Sequence, residues 1–332
     1  MSQLSVTKVH GSRNDILVVD GAPDDHFASG EVARAVLRLC DRRLGLGADG
    51  VYFLAVDGDG TARAWFFNPD GSASLLCGNG MRGAGRLLLD RYATEETVVH
   101  TGPYAFTVRD AGLSKHGVRQ VAVELPPVDF TPAEPIVAGV GYPFVGRVFP
   151  AFDPSLAVTA LAVPNSHLVT VIDTYSEDAL VTTGRRVAGT SAVFPIGANV
   201  SFVLPLVPSA DEVFIQTYER GAGLTPSCGS GVAASRAVLS RLGLVAPHQS
   251  VLVRNPGGVA RSRLQDRDGR WQPILEGNAT VVFRAELDPA VLLGEGPIQY
   301  VGETDFAEIT AFDALFKENL EALSAAGVHP TV

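Results

Sequence analysis

Two of the three cysteines in this 332-residue chain open the same short phrase. Cys77-Gly-Asn-Gly-Met-Arg runs on into Gly-Ala-Gly-Arg-Leu-Leu-Leu, and Cys228-Gly-Ser-Gly-Val-Ala runs on into Ala-Ser-Arg-Ala-Val-Leu. Each is Cys-Gly-x-Gly standing before an Ala/Leu-rich stretch that reads as a helix with Arg on its polar side. A cysteine in the first turn of a helix lies near unpaired backbone N–H groups and the positive end of the helix dipole, a setting that favours thiolate and can bring the pKa from about 8.5 toward neutrality. The glycines let the backbone approach a ligand closely, and the exposed N–H groups offer an anion site. A thiolate base beside a carboxylate-binding nest is what proton removal next to a carboxylate requires. With two such sites on opposite sides of a substrate, one thiolate takes a proton while the opposing thiol returns one to the other face, and the stereocentre inverts. A single base would have to move or exchange its proton through water, so the duplication fits epimerisation better than hydrolysis. The plainer alternative, a tight helix start without chemistry, explains one copy more readily than two. Cys40, inside Arg-Leu-Cys-Asp-Arg-Arg, reads as a core residue with no catalytic part.

The elements that must carry these cysteines are mostly strands. Leu4–Val9, Ile16–Val19, Val51–Val56, Thr61–Phe67, Ala105–Arg109 and Val118–Glu124 are short apolar or alternating runs bounded by Gly, Asp or Pro. A second group is Leu168–Ile172, Asn199–Pro205, Glu212–Tyr218, Val251–Arg254 and Ala279–Arg284. Helical spacing marks Ser29–Leu44 and the stretches after Cys77 and after Cys228. Each cysteine phrase follows a turn-forming loop, Asn68-Pro-Asp-Gly-Ser before the first and Glu219-Arg-Gly-Ala-Gly before the second. The echo therefore predicts two related halves, with the Pro-rich stretch Pro126–Pro135 as linker. In the tail, Phe306, Ile309, Phe312, Leu315, Phe316, Leu320 and Leu323 recur at helical spacing, as expected of a segment that caps a domain or joins a partner chain.

Composition bounds the function. The length suits two domains, and 46% hydrophobic with 19% charged residues supplies ample core. The net charge of −10 is spread along the chain without a basic cluster, which argues against a nucleic-acid surface. The first twenty residues alternate apolar and polar and carry Lys8, His10 and Arg13, unlike a signal peptide, and stretches such as Ala157–Val163 are too short to span a bilayer. Three cysteines make no disulfide framework, so the expectation is a cytoplasmic protein with reduced thiols. No His-Glu-x-x-His or similar metal signature is present, and neither metal nor cofactor is expected.

At several points the sequence resembles the diaminopimelate epimerase family, over Lys8 to about Glu286. His10-Gly-Ser-Arg-Asn14-Asp is similar to the family's His-Gly-x-x-Asn-Asp, and Gly45-Leu-Gly-Ala-Asp-Gly50 to its Gly-x-Gly-Ala-Asp-Gly turn. Asn68-x-Asp-Gly-Ser through Cys77-Gly-Asn-Gly-x-Arg82 resembles the first cysteine signature. Glu219-Arg-Gly-x-Gly-x-Thr-x-x-Cys228-Gly-Ser-Gly resembles the second, with Ser230 where Thr is usual, and Phe194-Pro-x-Gly-x-Asn199-Val resembles the segment before it. The resemblance implies Cys77 and Cys228 as the acid–base pair, with His167 and Glu219 tuning them. It implies that the N–H groups of Gly78, Asn79, Gly229 and Ser230 hold the reacting carboxylate. Asn14, Asn68, Asn165, Asn199, Glu219 and Arg220 would read the distal end of an amino-acid substrate, where an Arg suits a carboxylate and a Glu an ammonium. It also implies an α+β fold of two pseudo-symmetric domains, each a curved mixed β-sheet wrapped around a central helix. The expected boundaries are 1–125 completed by about 286–300, then 126–285, with 301–332 as a helical extension, and the expected assembly is a homodimer.

Departures touch the substrate end. Pro164-Asn-Ser-His stands where Gly-Asn-Pro-His is usual, and a proline fixes its own φ and restrains its neighbour. Arg13 stands where a glycine is common. The activity implied is interconversion of LL- and meso-diaminopimelate without pyridoxal phosphate. The alternatives are a racemase or epimerase of another amino acid and, from a different class, a thiol redox switch.

Overall fold

The computed structural model describes residues 3–28 and 30–331. The chain folds as two compact units, residues 1–123 with 277–315 and residues 124–276 with 316–332. The first stretch forms β1 (Leu4–Gly11), β2 (Asn14–Asp20), the single turn α1 (Pro23–His26), α2 (Val32–Cys40), β3 (Val51–Val56), β4 (Ala62–Phe67), the short β5 (Ala73–Ser74), α3 (Gly78–Tyr92), β6 (Glu96–Thr101), β7 (Tyr104–Leu113) and β8 (Arg119–Glu124). Then come β9 (Arg147–Phe149), β10 (Asp153–Val163), β11 (Asn165–Val171), α4 (Glu177–Gly189), β12 (Asn199–Pro205), β13 (Glu212–Glu219), the short β14 (Gly223–Leu224), α5 (Gly229–Arg241), β15 (Val251–Asn255), β16 (Gly258–Arg267) and β17 (Arg270–Asn278). The chain ends through β18 (Thr280–Leu287), β19 (Val301–Thr304) and α6 (Phe306–Ala325). None of these helices is long and apolar enough to cross a membrane.

The two units repeat one pairing scheme. In the first, β1 pairs antiparallel with β2, β2 parallel with β3, β3 antiparallel with β4, β4 antiparallel with β5 and parallel with β6, and β6 antiparallel with β7. In the second, β10, β11, β12, β13, β14, β15 and β16 follow the same sequence of antiparallel and parallel steps. Each parallel step needs a crossover, and a helix supplies it: α2 and α3 in the first unit, α4 and α5 in the second. This is the α+β class that the family resemblance implies, a mixed sheet packed on a central helix in each unit. In the first unit β18 extends the sheet from the free edge of β1, and β19 from β18.

Ile16–Val19 of β2 and all of β3 are apolar without a break because both sheet faces are covered there. Leu17, Val19, Val51 and Phe53 pack toward α2, with Ala35, Val36, Leu39 and Cys40. Their neighbours face α3, where a Cβ on Gly80 would come 2.7 Å from the Tyr52 ring and 3.1 Å from Ile16. The central helices are buried along most of their length, including Gly78 through Arg86 of α3 and Gly231 through Leu239 of α5. Small residues are what allow a sheet to wrap a helix this closely.

Three expectations change. The helix expected over Ser29–Leu44 spans Val32–Cys40; Ser29 lies outside the described residues, and the helix stops where the Asp41 carboxylate accepts the N–H groups of Arg43 and Leu44 and turns the chain. The Pro126–Pro135 stretch packs against the second unit, with Val128 N–H on the Trp271 carbonyl and Asp129 bridged to Ala162. The return to the first unit comes at Gly277.

Candidate active site

Cys77 is the N-cap of α3, with an extended backbone (φ −125°, ψ 110°) that breaks from β5 into the helix. Its Sγ accepts the N–H of Gly80 at 3.4 Å, and its carbonyl accepts the N–H of Met81. A sulfur thus does the capping that an oxygen does in most helices. The Cys77 backbone is held from beneath by Tyr52, whose hydroxyl accepts the Cys77 N–H at 3.0 Å and lies 3.3 Å from its carbonyl. Burial raises the Tyr52 phenol far above its usual pKa, so it remains a neutral hydroxyl. Asn14, the first residue of β2, places its Oδ1 3.5 Å from the sulfur. The preceding turn carries Ser12 and Arg13 at φ 50° and 61°, which explains why a glycine suits position 13. Ser12 N–H is secured on Asn278 Oδ1 and Arg13 N–H on His10 Nδ1.

The rest of the first half-site is fixed by local bonds. Asn68 N–H and Nδ2 both reach Ser72, so this side chain closes its own turn. Gly78 and Asn79 lie in the first turn of α3, where the helix offers their N–H groups no acceptor. The Asn79 side chain accepts from Arg82, which is 1% exposed and also donates to the Asn278 carbonyl. Burial pulls the Arg82 guanidinium down to about 10, opposed by the Cys77 sulfur, and it still carries its charge at neutral pH.

Cys228 repeats the geometry as N-cap of α5, with φ −116°, ψ 109° and Sγ 3.4 Å from Gly231 N. Its other neighbours differ. The Ser230 hydroxyl lies 3.5 Å from the sulfur, and Glu219, at the end of β13, holds its carboxylate against the Thr225 hydroxyl at 2.5 Å. Burial first and the Glu219 carboxylate second push the Cys228 thiol well above its ordinary range. The helix start alone predicts a lowered pKa; in this half desolvation outweighs the dipole, and Cys228 holds its proton at neutral pH. His167, fully buried on β11, is pulled down to about 3 by burial and by Arg220. Its Nε2 lies 3.1 Å from Asn165 Oδ1, while Nδ1 has no hydrogen-bond partner. Because an amide oxygen only accepts, the proton belongs on Nε2 and Nδ1 presents a lone pair. Asn199 accepts the Arg220 N–H at 2.8 Å, and the Arg220 guanidinium donates to the Ile196 carbonyl. Gly229 and Ser230 occupy the first turn of α5.

The halves correspond residue by residue. Asn14 and Asn165 begin β2 and β11, Asn68 and Glu219 follow Phe67 and Tyr218 in the paired strands, and Asn79 and Ser230 sit two residues past their cysteines. Each pair is the same number of residues apart as Cys77 and Cys228. In the first unit Asn14 meets the Cys77 sulfur and Asn68 closes its own turn; in the second, Ser230 and Glu219 act on Cys228, while His167 is linked to Asn165 and Arg220, and Arg220 to Asn199. Cys40 stays apart in the α2 core, its thiol raised to about 12 by burial. Tyr52, Asp49, Arg82 and Thr225 also belong to these surroundings; none of them was assigned a role from sequence, although Asp49, Arg82 and Thr225 each lie within a motif that carries the family resemblance. For Asp49 the signal was the Gly-x-Gly-Ala-Asp-Gly turn, and for Tyr52, inside an apolar run, there was none.

A sequence profile described as diaminopimelate epimerase matches residues 6–116 and 159–282. A diaminopimelate epimerase of Listeria welshimeri is 34% identical over 291 residues, covering 85% of this chain and 88% of its own length. One from Listeria monocytogenes serotype 4a is 32% identical over 334 residues, covering 97% and 99%. Among solved structures, a Bacillus anthracis phenazine biosynthesis protein superposes with TM-score 0.62 at 15% identity, covering 86% of this chain and 99% of that one. A hydroxyproline epimerase of Agrobacterium vitis superposes with TM-score 0.59 at 17% identity, covering 87% and 94%. At those identities the two structures speak for the fold alone.

Proposed function

This chain belongs to the diaminopimelate epimerase family and is an isomerase, and from that premise we propose that it interconverts LL- and meso-2,6-diaminopimelate, a step in lysine and peptidoglycan precursor synthesis. The observation that carries the reading is the cysteine N-cap built twice, each sulfur 3.4 Å from the third amide of a buried helix. In the proposed reaction the first-turn N–H groups at Gly78, Asn79, Gly229 and Ser230 bind the reacting carboxylate. They stabilise the negative charge that moves onto it as the α-proton leaves. One of Cys77 and Cys228, as thiolate, takes that proton; the other, as thiol, gives its own to the opposite face. The proton count is unchanged and the two sulfurs have exchanged roles. The reaction requires both sulfurs at one α-carbon, and it needs neither a metal nor pyridoxal phosphate.

His167 fits a positioning part better than a charged one, since burial keeps its ring neutral. Glu219 fits the acceptor of the Cys228 proton when that sulfur must act as base. Asn14, Asn68, Asn165, Asn199 and Arg220 complete the recognition of the distal amino-acid group in this reading.

The test is α-proton exchange in deuterated water, followed by NMR, with diaminopimelate and a panel of monocarboxylic amino acids. Wild type should exchange and invert diaminopimelate. Cys77→Ala and Cys228→Ala should each abolish inversion, because each face needs its own base, while a Cys40 substitution should leave turnover within a few-fold. Full inversion by either of the first two variants would remove the two-base reading. Exchange confined to a monocarboxylic amino acid would replace the substrate.

A further inference from the structure

The contact between Asn14 and Cys77 depends on a third residue. Asp49, in the turn before β3, accepts with one oxygen, Oδ2, both the backbone N–H of Asp15 at 2.9 Å and the side-chain Nδ2 of Asn14 at 3.4 Å. Its other oxygen, Oδ1, pairs with Arg42 at 2.7 Å, and Arg42 also reaches Asp15, which Lys8 pairs from β1 at 3.0 Å. The Asp49 backbone N–H closes the arrangement on the Asp15 carbonyl at 2.8 Å.

A carboxylate accepts and cannot donate, so it dictates which end of the Asn14 amide faces it. Nδ2 must point at Asp49, and Oδ1 is left on the side of the sulfur. An amide oxygen at Sγ accepts from the thiol S–H and supports the protonated sulfur; an amide NH2 there would donate and support the thiolate. We propose that Asp49 is a positioning residue for Cys77: by locking the Asn14 amide it makes Asn14 an acceptor, and so fixes the direction of the Cys77 S–H and the ease with which that proton leaves. The proposal rests on Cys77 being one of the two acid–base groups. Among the relatives of this contact in the second unit, Asn165 occupies the position of Asn14, and its oxygen faces His167 instead of the sulfur. The lock therefore distinguishes the two thiols.

Asn14 of β2, Tyr52 of β3 and the buried Arg82 of α3 act on Cys77, and behind Asn14 stand the charged groups Asp49, Arg42, Asp15 and Lys8. Their charges act on the sulfur whether or not Asn14 is locked, so the test must separate charge from orientation. Substituting Asp49 by Asn does so. An Asn carbonyl at the Oδ2 position retains both bonds to Asp15 and Asn14 and loses the charge together with the Oδ1 bond from Arg42.

The measurement is the pH dependence of Cys77 alkylation by iodoacetamide, read by peptide mapping. It needs no turnover, so it stands even if diaminopimelate proves not to be the substrate; the α-proton exchange assay on the same preparations reports that separately. Asp49→Ala should move the alkylation midpoint to lower pH by about half to one unit, the shift expected on losing one hydrogen bond to the neutral form. Asn14→Ala should move it in the same direction, and Asp49→Ala added to Asn14→Ala should move it no further than Asp49→Asn moves wild type. Asp49→Asn should stay close to wild type. Equal shifts in Asp49→Asn and Asp49→Ala would make the effect one of charge and overturn the proposal. So would an unmoved midpoint in Asn14→Ala, a variant that keeps the Asp49 turn and serves if Asp49→Ala does not fold.

Discussion

Two buried imidazoles give the protein an acid limit that can be worked out in advance. His10 is pulled down to about 4 by burial and by Arg13, Lys8 and Arg82, against the opposing pull of Asp15, and His167 to about 3. Above pH 6.5 each is neutral in both folded and unfolded chains. Below it the unfolded chain takes up a proton that the folded one refuses, so stability falls as pH drops through the interval from about 6.5 to about 4, at roughly 3 kcal/mol for His10 by the end of it. Urea unfolding at pH 7 and pH 4.5 should show this loss, and His10→Gln should show a clearly smaller one; an equal loss would assign the effect elsewhere. Arg220 carries the substrate prediction. Its backbone is tied to Asn199 and its guanidinium to the Ile196 carbonyl, so the side chain is already oriented in the free protein. If it grips the second carboxylate, Arg220→Met should lower kcat/KM for diaminopimelate by about 30-fold or more and change exchange of a monocarboxylic amino acid far less. Equal damage to both would make it a structural residue. The cysteines were legible because their glycine-rich phrase is local and occurs twice. Tyr52 was not, because it lies inside the apolar run Val51–Val56 and meets Cys77 only through the strand register of β3 under α3.

Among the elements, the central helices owe their place to residues without side chains. A Cβ at Gly80 would stand 2.7 Å from the Tyr52 ring, the same ring whose hydroxyl holds the Cys77 backbone. Gly80→Ala should therefore cost about 1–3 kcal/mol through overpacking and slow α-proton exchange as well. Gly189, the last residue of α4, has nothing within 4 Å of where a Cβ would go. There an alanine should stabilise by about 0.4–1 kcal/mol through the unfolded chain. Chemical denaturation of the two variants distinguishes them, and similar effects would sink the packing account. Strands flanked by clear turn residues were legible to the residue, as with Val51–Val56 and Asn199–Pro205. Glu96–Thr101 was not identified as a strand, since a mixed polar run becomes a strand only when a partner lies beside it, here β7; Asp153–Val163 was missed although Ala157–Val163 stood out as apolar. The end of α2 at Cys40 was set by Asp41, whose capping carboxylate competes with the helical pattern that continues to Leu44.

For the whole molecule, the last segment is as much a part of the fold as the repeated sheets. In the first unit Glu308 of α6 reaches the buried Arg86 of α3 and accepts the Val281 N–H at 2.9 Å, and Phe312 sits edge-on to His10 at 4.3 Å. In the second, Asn319 is fully buried, donating to the Asn255 carbonyl at 3.0 Å, and Leu323 and Val328 pack on Phe214. Glu308→Gln should cost about 1–3 kcal/mol, since Arg86 keeps its bonds to Asp90 and the Ala279 carbonyl but loses a charged partner; a melting temperature equal to wild type would show the pair to be dispensable. The spacing of apolar residues predicted this helix, but Phe306 at its start is 74% exposed, and nothing in the sequence said that a buried asparagine would anchor its middle. The interruption of the first unit by the second has a consequence for how the protein is born. Strand β1 is made well before its outer partner β18, and Asn278, which secures Ser12, follows that residue by 266 positions. At about 5–20 residues per second, translation leaves that edge without its native neighbour for on the order of tens of seconds. An open, apolar strand edge is a template for the wrong partner. The nascent chain should therefore depend on holdase chaperones until β18 has been made.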